Sequence, residues 1–135
     1  MNMLPLRGAI TALVTPFLPD GQLDEPALRA LVTWQIAEGI DGLVPVGSTG
    51  EAATLTLAER VRVVSITAEV ADGRLPVIAG AGANDTAVAI ENSRALAAAG
   101  ATHLLHVSPA YSKPPQRGLV AHFRAVADAS PVPVL

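Results

Sequence analysis

The chain has 135 residues, half of them hydrophobic, with one Trp, one Tyr, two Phe, no Cys and a formal net charge of −3. That length supports one domain, residues 1–135, with its own core, and a core built from Ala, Val and Leu suits buried parallel strands under small-faced helices better than a sandwich. Interspersed charge leaves no basic footprint for nucleic acid, the lack of cysteine excludes disulfides, thiolate metal sites and a cysteine nucleophile, and no apolar run reaches the ~18 residues that cross a bilayer.

The first residues, 1–13, contain one Arg and no clear cleavage site, so they read as the start of a mature, cytoplasmic protein. Residues 9–14 form a near-continuous apolar run, the pattern of a strand buried on both faces. A turn-rich stretch ending at Gly21 follows. Asp24 is the expected N-cap of a first helix, with Pro26 tolerated in its first turn; Leu28, Leu31, Val32 and Ile36 recur at helical spacing, and Gly39 marks the end. The second strand begins at Gly42. Pro45 sits awkwardly in it, because proline donates nothing to a ladder.

That strand stops in the turn Gly47-Ser-Thr-Gly-Glu51, which carries two adjacent hydroxyls between two glycines. A glycine there commonly supplies φ > 0 and nothing more. Yet the turn joins a strand end to a helix, where parallel sheets place their ligands. It is no phosphate loop, since neither G-x-x-x-x-G-K nor G-x-G-x-x-G is present. Thr56-Leu-Ala-Glu59 then reads as a capping box opening a second helix over 57–71, with Val61, Val64 and Ala68 inward.

The third strand covers 76–80. A third helix, capped by Asn84 or Asp85, ends near Ala99, and a fourth strand spans 102–107. The proline-stiffened loop 108–115 leads to a fourth helix over 116–129, with Leu119, Phe123, Val126 and Ala127 inward; residues 132–135 begin a fifth strand. Strand–helix units of roughly 30 residues are the βαβ signature. Four units and a stub make about half of a (β/α)8 barrel, which needs about 250 residues; a five-stranded flavodoxin-like sheet is the rival that fits the length.

Gly47-Ser-Thr-Gly-Glu51, Val77-Ile-Ala-Gly-Ala-Gly-Ala-Asn84 and Ser108-Pro-Ala-Tyr-Ser-Lys-Pro114, taken in order, resemble the dihydrodipicolinate synthase / N-acetylneuraminate lyase family. Thr15-Pro-Phe17, Ala71-Asp-Gly-Arg74 and Gly118-Leu-Val-Ala-His-Phe123 extend the likeness, which covers the N-terminal half of a family member. The Glu51-Ala-Ala-Thr-Leu55 and Ala-Asp-Gly-Arg stretches look most like the dihydrodipicolinate synthase branch.

The resemblance implies a TIM barrel using class I aldolase chemistry without a cofactor. A lysine amine forms a Schiff base with pyruvate, which then adds as an enamine to an aldehyde, aspartate semialdehyde in that branch. Ser48 and Thr49 would bind the pyruvyl carboxylate, Ser48 would be the middle of a Tyr–hydroxyl–Tyr proton relay, and Tyr111 would be one end of it. Tyr111 would also reach a neighbouring subunit's pocket, implying a homo-oligomer, dimer or tetramer. The second tyrosine and the Schiff-base lysine would lie beyond Leu135. Lys113, the only lysine, matches a basic residue of the family's loop and not its nucleophile. The chain by itself is therefore expected to be inactive. The alternatives are an N-acetylneuraminate lyase or another 2-oxo acid aldolase of the family, and a non-catalytic half barrel acting as a scaffold.

The family's lysine-feedback positions match Ala52, Ala53, Leu57, Arg60, Asn84, Val88 and Ala110. Val88 replaces a carboxylate, Leu57 a polar ring and Ala110 an aromatic, so insensitivity to lysine is expected. The other candidates have plain readings. His103 and His106, three apart on a strand, point to opposite faces and do not chelate one metal, so no metal site is expected. His122 reads as a surface residue, Trp34 as core or interface filler, and Glu51 as an anchor for backbone amides. Tyr111 otherwise reads as a ring packed on Pro114.

Overall fold

The computed structural model describes residues 6–135; the reading of the chain's start falls partly on residues 1–5, outside the described residues. In order come β1 (Ile10–Ala12), α1 (Glu25–Ala37), β2 (Gly42–Val44), a 3-10 turn (Ala52–Thr54), α2 (Leu57–Ala71), β3 (Ile78–Gly80), α3 (Thr86–Ala98), β4 (His103–Leu105) and α4 (Gln116–Ala129). All four predicted helices are present. The 3-10 turn was not foreseen.

Topology decides between the two architectures. β1 pairs with β2 and β3 with β4, both in parallel, with Ala12 opposite Val44 and Gly80 opposite Leu105. Parallel bridges from Leu43 to Val77 and from Leu104 to Val134 join the pairs and add the fifth segment. Each strand thus lies beside its predecessor. A flavodoxin-like sheet has the order 2-1-3-4-5, so the open-sheet rival is excluded. The four βα units form half of a TIM barrel.

The strands are shorter than the apolar runs suggested, and at β2 the cause is Pro45. Leu43 donates to the Pro76 carbonyl at 3.0 Å, and two residues on Pro45 has no N–H to give. Its carbonyl still accepts from Gly80 N–H at 3.1 Å, so the ladder skips one donor. Proline is tolerated here because the gap falls just after β2 ends at Val44.

Side chains alternate between two faces, as strand pleat requires. Leu13, Leu43, Val77, Ala79 and Leu104 enter the core under the helices with Leu28, Val32, Val64, Ile66 and Leu96. Val14, Leu105 and Val107 face the other way and are exposed. Helix caps follow the sequence: Asp24 accepts from Ala27 N–H at 3.0 Å, and the Thr56–Glu59 capping box is complete. At α3 the cap is Asp85 and not Asn84.

Two predicted faces were out of phase. α2 packs against both α1 and α3, so it buries a wide band including Val63, Ile66, Thr67 and Ala71, while Val61 and Ala68 are only half-buried. α4 buries His122 and Val126 and leaves Ala127 exposed. The surface assignment of His122 is therefore wrong: its ring bonds to Thr86 Oγ1 at 2.8 Å on α3. Trp34 is 56% exposed, which excludes a core role within this chain.

Candidate active site

The turn after β2 owes its shape to two left-handed residues, Val46 (φ 50°) and Glu51 (φ 58°). Neither is glycine, contrary to the reading that Gly47 and Gly50 supply positive φ. A β-branched residue there is a genuine outlier, costing on the order of 1–3 kcal/mol, and survives where its surroundings over-determine it. Val46 is 1% exposed in the core, which holds it in place. Glycine serves close approach instead. A Cβ at Gly50 would lie 3.0 Å from the Leu13 carbonyl oxygen, and one at Gly80 only 2.2 Å from that of Val46.

Thr15 secures the turn from β1, its buried hydroxyl donating to the Gly50 carbonyl at 2.7 Å. Inside the turn, Gly50 and Ala52 N–H donate to Gly47 O, and Glu51 N–H donates to Ser48 O. Among the described residues, the N–H groups of Ser48 and Thr49 donate to no carbonyl of the turn. Two adjacent free amides and two hydroxyls suit a carboxylate.

A cavity of ≈ 400 Å³ opens here at the C-terminal ends of the strands, the face on which barrel enzymes carry their sites. Val46, Ser48, Glu51, Gly80, Leu105 and Val107 line it, as does Arg60. Ser48 is therefore at the cavity. Thr49 is beside it, exposed, and not among the lining residues. Glu51 does not cap the 3-10 turn with its side chain; it borders the cavity instead, so its role as an amide anchor is not what the structure shows.

Tyr111 lies on the loop after β4, at the same end of the parallel sheet as Ser48, but it does not line the cavity. It is 100% exposed with φ 69°, so its ring is not packed on Pro114. Lys113 is also exposed and left-handed, which fits the view that it is no desolvated nucleophile. The loop is pinned at its start, where Asn84 Oδ1 accepts Ala110 N–H at 2.8 Å. His103 and His106 do lie on opposite faces: His106 turns towards Ser93 of α3, at 3.2 Å, and His103 bonds to the neighbouring Thr102 hydroxyl.

Three residues were not assigned to this cavity by the sequence reading: Thr15, Gly80 and Arg60. The first two lay within quoted motifs, and Arg60 was named only as a feedback-position match. Arg60 donates to the Ala52 carbonyl, while its Nε is buried without a partner. Nothing in its spacing signalled a cavity wall.

The sequence profile described as the Dihydrodipicolinate synthetase family matches residues 5–135. The chain belongs to that family. It is 54% identical over 130 residues to a 4-hydroxy-tetrahydrodipicolinate synthase from Mesorhizobium japonicum, covering 96% of this chain and 44% of the relative. A synthase of the same name from Brucella abortus is 55% identical over the same length, with the same coverage. Among solved structures, the chloride-inhibited dihydrodipicolinate synthase of Acinetobacter baumannii, complexed with pyruvate, superposes with a TM-score of 0.94 at 45% identity. That match covers 96% of this chain and 45% of that one. The chain thus spans less than half the length of the family members it matches. Among the described residues no helix is long and apolar enough to cross a membrane.

Proposed function

We propose that these residues are the carboxylate-binding half of a pyruvate-dependent Schiff-base lyase, a 4-hydroxy-tetrahydrodipicolinate synthase condensing pyruvate with aspartate semialdehyde. The observation that carries the reading is the Ser48–Thr49 turn, with its two free amides and two hydroxyls, opening on a cavity at the catalytic end of a half barrel. The turn holds the pyruvyl carboxylate and so fixes the carbonyl carbon before an amine attacks it. Forming the Schiff base expels water, which requires a proton delivered to the departing oxygen; Ser48 passes it between two phenols, of which Tyr111 is one. The electron sink is the imine, and no cofactor is needed.

Tyr111 reaches its place through assembly. A wholly exposed, left-handed aromatic at the tip of a pinned loop is suited to entering a second subunit, so the active species is a homo-oligomer, in the cytoplasm. The nucleophilic amine is supplied by the other half of the barrel. Lys113 has the exposure of an ordinary surface lysine.

The test is a fusion of residues 1–135 to the complementary half of the 54% identical relative. The expected result is turnover of pyruvate with aspartate semialdehyde and none with N-acetylneuraminate. A folded fusion that cleaves N-acetylneuraminate instead would move the chain to the lyase branch, and one that turns over neither would overturn the reading. Borohydride reduction of the unfused chain with pyruvate should leave its mass unchanged.

A further inference from the structure

Between β4, α3 and α4 lie two histidines that the chemistry above does not use. His106 and His122 are buried, 8% and 6% exposed. Each gives one ring nitrogen to a hydroxyl of α3: His106 Nε2 to Ser93 Oγ at 3.2 Å and His122 Nδ1 to Thr86 Oγ1 at 2.8 Å. The remaining nitrogens, His106 Nδ1 and His122 Nε2, are buried with no partner. Such orphans are few in native folds and require a reason.

The Ser93 hydroxyl fixes the ring proton of His106. Ser93 donates its single proton to the Ala89 carbonyl at 2.6 Å, so its oxygen can only accept, and His106 must carry hydrogen on Nε2. Its Nδ1 is then a bare acceptor. Thr86 Oγ1 has no other partner among the described residues and can meet His122 Nδ1 as donor or as acceptor. The orphan on His106 is an acceptor. Both rings rest on the same side of α3, since Thr86 and Ser93 are two helical turns apart.

We propose that the His106–His122 pair is a proton-sensitive latch, holding α4 and the loop before it against α3 while His106 is neutral and releasing them when His106 takes up a proton. A proton on His106 Nδ1 would bury a charge against which no carboxylate side chain packs. On α3 the neighbours are Thr86, Ala89, Asn92 and Ser93, all uncharged, while Glu91 and Arg94 are exposed. From α4 comes His122, with Arg117, Arg124 and Asp128 exposed. On β4, His103 faces the other side. From the fifth segment, the main-chain oxygen of Leu135 accepts the main-chain N–H of His106 at 3.0 Å.

Desolvation by burial, and secondarily the neighbouring His122, lowers the His106 pKa from its ordinary 6.5. A lowered histidine contributes stability above the unfolded value and loses it as pH falls below 6.5 towards the folded value. Release has a readable consequence: α4 is the downstream anchor of the Tyr111 loop, whose upstream anchor is Asn84.

The test is site-resolved amide exchange in the full chain at about pH 7.5 and about pH 5, corrected for intrinsic rates, with α2 as internal reference. Protection of α4 should be lost at the lower pH while that of α2 persists, and His122→Phe should abolish the difference. Should that variant not fold, ring-nitrogen spectra of the unaltered chain serve: His106 should be the neutral Nε2–H form at the higher pH and protonate together with the loss at α4. Equal loss in α2 and α4, or protonation of His106 with α4 still protected, would overturn the latch. So would disappearance of the effect when Leu135 is amidated, which would assign the response to the terminal carboxylate.

Discussion

Gly80→Ala tests the close contact that sets the turn over the cavity. The new Cβ would stand 2.2 Å from the Val46 carbonyl oxygen, 2.8 Å from its carbon and 3.0 Å from Gly47 Cα, all backbone atoms that cannot rotate away. To reach ordinary contact the turn must withdraw by about 1 Å, which strains the 3.1 Å bond from Gly80 N–H to Pro45 O. Overpacking costs on the order of 1–3 kcal/mol and a lost hydrogen bond about 1 kcal/mol. Reduced unfolded-state freedom returns about 0.4–1 kcal/mol. The net is a loss of about 1–3.5 kcal/mol, read from urea unfolding of the fused barrel as a lower midpoint with unchanged slope. The same change at Gly118, where the nearest atom to a new Cβ is 3.5 Å away within α4, should stabilise by about 0.5–1 kcal/mol. If Gly80→Ala comes within about 0.5 kcal/mol of the parent, the close approach does not exist as described.

Thr56→Ala removes the capping box and should cost about 1 kcal/mol in the same assay. Glu59 carries the matching pH signature. Hydrogen bonds from the Thr56 side chain, then its backbone, lower that carboxyl from 4.5, so its contribution is present above 4.5 and lost as pH falls through the folded value; thermal melts of the variant should show less acid sensitivity there. A completed barrel should keep full activity in millimolar lysine, because Val88 offers no carboxylate and the Asn84 oxygen is already taken by Ala110 N–H; clear inhibition would contradict this. The 135-residue chain should self-associate in light scattering, since Val14, Leu105, Val107 and Leu135 are exposed and the outer edge of β1 has no partner strand among the described residues. A monomer with a cooperative melt would refute that.

What the sequence disclosed was local. Asp24, the Thr56–Glu59 box and the helix-spaced Leu28 and Val32 act over a few residues, and each did what its chemistry requires. Strand ends were less legible, because they depend on which neighbour supplies the next donor, as the gap at Pro45 illustrates. Helix faces failed where a helix has two neighbours: α2 meets both α1 and α3, and a single apolar stripe could not describe it. His122 was misread for the same reason, its partner Thr86 lying 36 residues away. At the candidate site, a motif pointed to Ser48, which lines the cavity, and another to Tyr111, which lies at the same end of the sheet but does not line it. The strain at Val46 was not legible, since composition assigns positive φ to glycine and only tertiary packing forces it on a valine.

The claim that the Ser48–Thr49 turn is half of a 2-oxo acid pocket is tested most directly by Ser48→Ala in the fused barrel, with kcat and the pyruvate KM measured together. Loss of kcat on the order of 10²–10⁴-fold in a normally folded fusion is the predicted result. Unchanged kcat and KM would contradict it.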